Sequence, residues 1–194
     1  MSAFDQAFAN LDQVEGGYVK DPDDPGGETY RGISRKRWPH WAGWAIIDTM
    51  KHQPGFPENL KTSVIDEHVK DFYRTNFWEA INGDILGEIS PAIAREMFDT
   101  EVNTGTKGEF LQRELNALNY ISEHADLKVD GAVGPQTLAA LDRFLHIRGE
   151  AGESVILAGL NAQQHTHYMD IAERSPSQRK FFFGWVAKRV VKPA

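Results

Sequence analysis

The chain has 194 residues, of which 41% are hydrophobic and 25% are charged, as in an ordinary globular protein. Its net charge of −7 argues against nucleic acid as the main partner. The absence of cysteine excludes a disulfide framework and thiol chemistry. We therefore expect a single compact domain over residues 1–194 with a sizeable hydrophobic core.

The first predicted element is a short amphipathic helix. Ser2 and Asp5 have the spacing of a capping box, and the Gly16-Gly17 pair is a typical helix stop. Three apolar residues recur at helical spacing and define one face: Phe4, Phe8 and Leu11. Glu15 falls on that same face in the last predicted turn. An apolar surface and the negative end of the helix dipole both favour a protonated carboxyl there, as a general acid requires.

A loop rich in aspartate, proline and glycine follows, from Asp21 to Gly27. Its composition predicts consecutive tight turns. The flanking segments, Tyr18-Val19 and residues 29–33, are predicted to pair as a small hairpin. That arrangement brings a second carboxylate and the hydroxyl of Thr29 within reach of a sugar held over Glu15.

These residues resemble the signature of glycoside hydrolase family 108, the bacterial and phage N-acetylmuramidases. The matching runs are Glu15-Gly16-Gly17-Tyr18, Asp24-Pro25-Gly26-Gly27, Thr29 and Gly32-Ile33. The spacing is also similar to that of phage-type lysozymes, with eight residues between Glu15 and Asp24. Four residues separate Asp24 from Thr29, one fewer than in those lysozymes, and Tyr30-Arg31 stands where the family usually has Asn-Tyr.

The resemblance implies a mainly α, lysozyme-like (α+β) fold with a small hairpin next to the catalytic glutamate. It implies hydrolysis of the β-1,4 bond between N-acetylmuramic acid and N-acetylglucosamine in peptidoglycan. Glu15 is then the general acid, Asp24 activates water or stabilises the oxocarbenium-like state, and Thr29 orients the water. Asp21 and Asp23 compete with Asp24 for the second role. The predicted sugar contacts are Tyr18, Tyr30, Asp99 and Asn103.

Helices dominate the middle of the chain. Ser34 is predicted to cap a short helix, and Ser63 with Asp66 opens another that runs to about Ala80. Ser90-Pro91 starts a third, which residues 103–105 close. Three tryptophans at three-residue spacing precede the second helix and form either a core stripe or a sugar-stacking wall: Trp38, Trp41 and Trp44.

From Thr106 the chain resembles a peptidoglycan-binding segment. The matching runs are Leu111-Gln112, Leu115-Asn116, Val129-Asp130-Gly131 and Val133-Gly134-Pro135. They predict a helix, a glycine-bearing turn and a second helix that starts at Pro135. The Asp130-Gly131 and Gly134-Pro135 pairs are also explained by turn formation alone, without a binding site. The catalytic half then spans about 1–105 and the peptidoglycan-binding-like half about 106–190. A helix is predicted over 154–174, then a last helix and a basic tail on the surface.

Neither a metal nor a cofactor is predicted. Asp21, Asp23 and Asp24 do not complete a calcium loop, and His165 and His167 do not fit a zinc motif. No apolar run approaches the ~20 residues of a membrane helix, and the acidic N-terminus is unlike a signal peptide. We therefore predict synthesis in the cytoplasm, action on the cell wall as a phage endolysin or wall-remodelling enzyme, a holin or export partner, and a monomer.

Two other functions compete with hydrolysis. A lytic transglycosylase cuts the same bond without water, so that Asp24 is dispensable and the product is an anhydro sugar. A non-catalytic wall-binding or phage-structural module keeps the fold and releases no sugar. The nature of the released product separates all three.

Overall fold

The computed structural model describes residues 2–12, 17–20, 27–60, 62–106, 108–120 and 125–191. The described chain is mainly helical, with one small antiparallel sheet, as the sequence predicted. The strands are β1 (Tyr18–Lys20), β2 (Glu28–Tyr30) and β3 (Ile33–Ser34). The helices are α1 (Ala3–Asp12), α2 (Gly43–Met50), α3 (Ser63–Tyr73), α4 (Gly83–Ile89), α5 (Pro91–Thr104), α6 (Glu109–Leu118), α7 (Pro135–Arg174) and α8 (Arg179–Trp185).

The chain divides into two compact units. The smaller unit comprises residues 8–76 and the larger unit comprises residues 1–7 and 77–194. Short 3₁₀ or π turns complete the helical content: Glu58–Leu60, Arg74–Trp78, Glu79–Ile81, Pro176–Gln178 and Val186–Val190.

Helix α1 begins at the predicted capping box. The backbone N–H of Asp5 donates to the Ser2 hydroxyl at 3.1 Å, and the Ser2 backbone N–H donates to the Asp5 carboxylate at 3.0 Å. This reciprocal pair satisfies two donors that the first helical turn otherwise leaves open. Phe4 and Leu11 are buried on the predicted apolar face. Glu15, with the rest of residues 13–16, lies outside the described residues.

The predicted hairpin is confirmed and gains a third strand. Tyr18 pairs with Tyr30 and Lys20 with Glu28 across β1 and β2. Arg31 and Gly32, both at positive φ, form a two-residue turn into β3, the conformation that type I′ hairpin turns require. Ser34, the last residue of β3, does cap a turn as predicted, because its hydroxyl accepts the Arg37 N–H at 3.4 Å. The predicted short helix is wrong, because only a single turn follows.

Helix α3 holds the sheet of the smaller unit in place. Its N-cap is Thr62, whose hydroxyl accepts the Ile65 N–H at 3.4 Å, one residue before the predicted start at Ser63. The hydroxyl of Tyr73 donates to the backbone carbonyl of Arg31 at 2.7 Å. The guanidinium of Arg31 in turn donates to Asp66 at 2.5 Å. The apolar face of α3 is buried as predicted, at Ile65, Val69, Phe72 and Tyr73.

Trp78 is the centre of the core in the larger unit. Its ring is fully buried between Phe4, at 5.5 Å between ring centroids, and Phe98, at 5.6 Å. Its indole N–H donates to the Asp84 carboxylate at 2.9 Å, so that burial leaves no polar atom of the ring unpaired. A methyl group built on Gly83 would overlap this ring, which explains a glycine at the start of α4.

Helix α5 has the predicted ends. The Ser90 hydroxyl accepts the Ile93 N–H at 3.0 Å, Pro91 is the first helical residue, and Gly105 at φ +65° ends the helix. The predicted stripe on this helix is fully buried: Ile93, Met97 and Phe98.

The C-terminal helices differ from the prediction in two places. α7 starts at Pro135 as predicted but runs to Arg174 with a break at Gly149 (φ +55°), so the helical chain resumes before Ser154. The basic tail is not wholly on the surface, because Arg189 is buried and donates to the Asp99 carboxylate at 2.6 Å. Asp99, which is 90 residues away in sequence, thus supplies the charged partner that a buried guanidinium needs.

Glu114 on α6 offers a test of stability against pH. Its carboxylate lies directly against Gly159 of α7 and accepts a hydrogen bond from the Gln163 amide at 3.3 Å. Burial raises the pKa of Glu114 above the ordinary value of 4.5. A carboxyl with a raised pKa binds its proton more tightly in the folded state, so wild-type stability falls as pH rises past the unfolded value.

We therefore expect Glu114→Gln to be more stable than the wild type above about pH 4.5 and equal to it below. Thermal unfolding of both proteins across this range checks the result, with Glu109→Gln, an exposed residue of the same helix, as the control. A difference that does not change with pH would mean that the Glu114 carboxyl is solvated in the folded protein.

Candidate active site

The small sheet holds the two ends of the aspartate-rich loop together. Because Lys20 pairs with Glu28, the loop leaves and re-enters the sheet at neighbouring positions. Thr29 follows at once, opposite Val19, and its hydroxyl donates to the Gly27 carbonyl at 3.4 Å. Glu15 and the loop carboxylates Asp21, Asp23 and Asp24 lie outside the described residues, so their predicted roles stay predictions.

Glu28 is the centre of an ionic cluster that the sequence did not predict. Its side chain is 10% exposed and its two oxygens pair with Lys51 Nζ at 2.6 Å and Arg35 Nε at 3.0 Å. Asp48 bridges the same two cations, at 2.7 Å from Arg35 Nη2 and 2.9 Å from Lys51 Nζ. Hydrogen bonds from Arg35 and then Lys51 lower the pKa of Asp48 to about 2. The cluster fixes β2 against α2, directly beside Thr29.

Tyr18 extends this cluster on the neighbouring strand. Burial and a hydrogen bond to Glu28 raise the pKa of its hydroxyl, so the phenol remains a donor. Its ring meets the ring of Phe56 edge to face, with centroids 4.7 Å apart. The position of Glu28 directly before Thr29 is the only signal in the sequence that points to this cluster. Its partners Arg35, Asp48 and Lys51 lie outside β2.

Tyr30, the other predicted sugar contact of the sheet, is buried. It is 3% exposed, and its ring stacks on Trp41 with centroids 6.3 Å apart and an interplanar angle of 20°. The structure therefore brings Tyr18, Thr29 and Tyr30 together on one sheet. Because Tyr30 is buried against Trp41, its side chain positions the Trp41 ring.

Asp99 and Asn103 belong to α5 in the larger unit. The Asp99 carboxylate accepts the buried hydrogen bond from Arg189, and the Asn103 amide donates to the Asp99 backbone carbonyl at 2.6 Å. Both side chains are thus engaged within the larger unit. Their predicted contact with a sugar stays a prediction.

The three tryptophans have different environments. Trp44 is a core residue, 3% exposed, while Trp41 is half-buried and Trp38 is 37% exposed. Backbone hydrogen bonds from Trp41 to Trp38 and from Trp44 to Trp41 have the three-residue spacing of 3₁₀ turns. The stripe therefore divides into a buried anchor and two rings that line a pocket.

Two amides organise the segment that resembles a peptidoglycan-binding domain. Gln112, which is buried, accepts the backbone N–H groups of Asp130 and Gly131 at 3.0 and 2.9 Å and donates to the Ala132 carbonyl at 2.9 Å. Asn116 exchanges two 2.8 Å hydrogen bonds with the backbone of Leu127. Gln112 and Asn116 of the motif therefore hold residues 127–132, which precede α7.

The helical fold with its small antiparallel sheet is of the mainly α, lysozyme-like class that the sequence predicted. The chain belongs to glycosyl hydrolase family 108: the profile of that family, described as "Glycosyl hydrolase 108", matches residues 8–105. A second profile, "Predicted Peptidoglycan domain", matches residues 108–190. None of the curated proteins matches the chain in sequence.

A solved structure has the same fold. SagA of Brucella abortus aligns with a TM-score of 0.55 and 21% sequence identity, over 97% of this chain and 96% of that one. At this identity the likeness concerns the fold, and it confirms the predicted class. Together, the two profiles identify an enzyme that acts on peptidoglycan in the cell wall.

Two further properties concern the described part of the chain, its helices and its acidic and histidine side chains. None of its helices combines the length and apolar character needed to cross a bilayer. Among the same residues, no group of three or more histidine, aspartate or glutamate side chains is arranged to hold a metal ion.

Proposed function

We propose that this enzyme is an N-acetylmuramidase that hydrolyses the β-1,4 bond between N-acetylmuramic acid and N-acetylglucosamine. The observation that carries the proposal is the order Glu15, Asp24, Thr29 within the segment that matches the hydrolase family. The hairpin supports it, because the antiparallel pairing of β1 and β2 brackets the loop that carries Asp24.

The proposed roles follow from the chemistry of glycoside hydrolysis. Glu15 protonates the leaving oxygen while Asp24 activates water or stabilises the oxocarbenium-like transition state. Two carboxyl groups can divide these roles when their environments differ, because a desolvated carboxyl keeps its proton as the acid and a solvated one stays ionised as the base. Thr29 orients the water, and the ionic cluster around Glu28 keeps the strand that carries Thr29 fixed.

The product of digestion tests the reaction type. Purified protein is incubated with cell-wall sacculi, and the soluble fragments are analysed by mass spectrometry. A muramidase releases fragments that end in reducing N-acetylmuramic acid. An anhydromuramic product would overturn hydrolysis in favour of a transglycosylase, and bound sacculi without released sugar would overturn catalysis altogether.

The choice of the second carboxylate has its own test. We expect Asp24→Asn to lower the hydrolysis rate by about 10²–10⁴-fold, because an amide cannot accept the proton of the attacking water. Asp21→Asn and Asp23→Asn, in the same loop, are matched controls and should retain most activity. The rates are measured from the clearing of a suspension of sacculi. Equal activity in all three variants would reduce these carboxylates to solvated turn residues.

A further inference from the structure

A pocket of about 480 Å³ lies within the smaller unit, beside the exposed end of the tryptophan stripe. Its volume is within the range of about 300–1,000 Å³ typical of small-ligand sites. The lining combines three aromatic side chains with polar groups of α3 and the turn after it. The residues that matter here are Trp38, Trp41, Phe72, His68, Asp71 and Asn76.

The aromatic rings are held in fixed positions. The indole N–H of Trp44 donates to the Trp38 carbonyl at 2.8 Å, and that of Trp41 donates to the His68 carbonyl at 3.2 Å. Tyr30 stacks on Trp41. A methyl group on Gly43 would overlap the ring of Trp41, so the glycine provides the space that this ring occupies. The pocket is therefore largely preorganised, which lowers the entropic cost of binding.

Trp38 presents apolar surface to solvent at this pocket. The residue is 37% exposed, and its ring meets Phe72 edge to face, with centroids 4.9 Å apart and an interplanar angle of 87°. An aromatic ring has a negative face, which attracts the slightly positive C–H groups of a pyranose. Such a platform next to polar side chains suits a sugar, whose apolar face and hydroxyl edge need both kinds of contact.

The polar side chains of the pocket supply both hydrogen-bond acceptors and donors, the latter including the guanidinium of Arg37. Asp71 is exposed, so its carboxylate is open to a ligand, and Asn76 uses its amide N–H to donate to the Phe72 carbonyl at 2.8 Å. The Asp71 carboxylate can accept from the N–H and O–H groups of an acetamido sugar, and Arg37 can donate to its carbonyl and hydroxyl oxygens. We propose that the pocket binds one N-acetylhexosamine of the glycan strand, in addition to the sugars at the cleaved bond. The identity of this ligand rests on the proposed function, because the glycan strand is the proposed substrate.

Titration with tetra-N-acetylchitotetraose tests this site. The full chain carrying Glu15→Gln is compared with and without Trp38→Ala by calorimetry, so that the ligand stays intact. We expect Trp38→Ala to raise the Kd about three- to tenfold and Trp38→Phe to restore most of the affinity. Tyr120→Ala, which removes an aromatic ring that is 79% exposed, is the matched control and should leave the Kd unchanged. Cellotetraose, which lacks the acetamido groups, should bind more weakly.

An unchanged Kd in folded Trp38→Ala would overturn the proposal. If circular dichroism shows that this variant is unfolded, Asp71→Ala, at an exposed position, replaces it and should raise the Kd in the same way. The proposed function fails separately: sacculi that release no sugar contradict hydrolysis even where Trp38 controls the affinity. Conversely, wall hydrolysis by the wild type together with a Kd independent of Trp38 and Asp71 contradicts the pocket alone.

Discussion

Replacing Glu15 by glutamine is expected to lower wall hydrolysis by about 10²–10⁴-fold while the protein stays folded. The amide keeps the shape of the side chain but has no transferable proton, so the leaving oxygen departs unprotonated. The measurement is the rate at which reducing ends appear from sacculi, alongside circular dichroism to verify the fold.

Glu88→Gln is the matched control for Glu15→Gln. It makes the same chemical change at an exposed position of α4 and should keep wild-type activity. Full activity in purified Glu15→Gln would remove Glu15 from the mechanism and, with it, the basis on which Asp24 and Thr29 were assigned.

The second large effect is expected at Arg189. Its guanidinium and the Asp99 carboxylate form an ion pair in which the side chains are only 8% and 12% exposed. Arg189→Met removes one partner of this buried ion pair and keeps the other charge buried. Such changes cost about 3–5 kcal/mol, so we expect a loss of that size in the free energy of unfolding in urea.

Two further variants separate the charge from the packing. Lys188→Met, at the exposed neighbouring position, should change the free energy of unfolding little. Combining Arg189→Met with Asp99→Leu removes both charges and should recover much of the lost stability, because a buried pair can be replaced by apolar groups. A double variant as unstable as Arg189→Met would show that methionine packs poorly at this position.

Local signals in the sequence predicted local structure well. The capping box at Ser2, the Ser90-Pro91 start of α5 and the Gly105 stop are each decided by hydrogen bonds within a few residues. The error after Ser34 is local too, since a single turn takes the place of the predicted helix. What the sequence did not predict is the Asp99–Arg189 pair, whose partners are 90 residues apart.

The candidate site also has one part that the sequence predicts and one part that only the fold brings together. The acid, base and threonine of the proposed mechanism lie within 15 residues of chain and can be recognised by spacing alone. The cluster around Glu28 and the pocket beside Trp38 need the fold, because Lys51 reaches the sheet from the end of α2, and Phe72 and Asp71 come from α3. Each of these residues is ordinary in sequence, and only packing brings them together.

The small sheet and the segment held by Gln112 and Asn116 are stabilised by interactions that respond differently to ionic strength. Around Glu28, the sheet is fastened by charges on Arg35, Asp48 and Lys51, and dissolved ions weaken the partly exposed members of such a cluster within a Debye length of about 8 Å at physiological salt. The loop clasped by Gln112 and Asn116 depends on neutral amides, which neither titrate nor attract counterions. High salt should therefore loosen the strand beside Thr29 before it disturbs the contacts of Gln112 and Asn116.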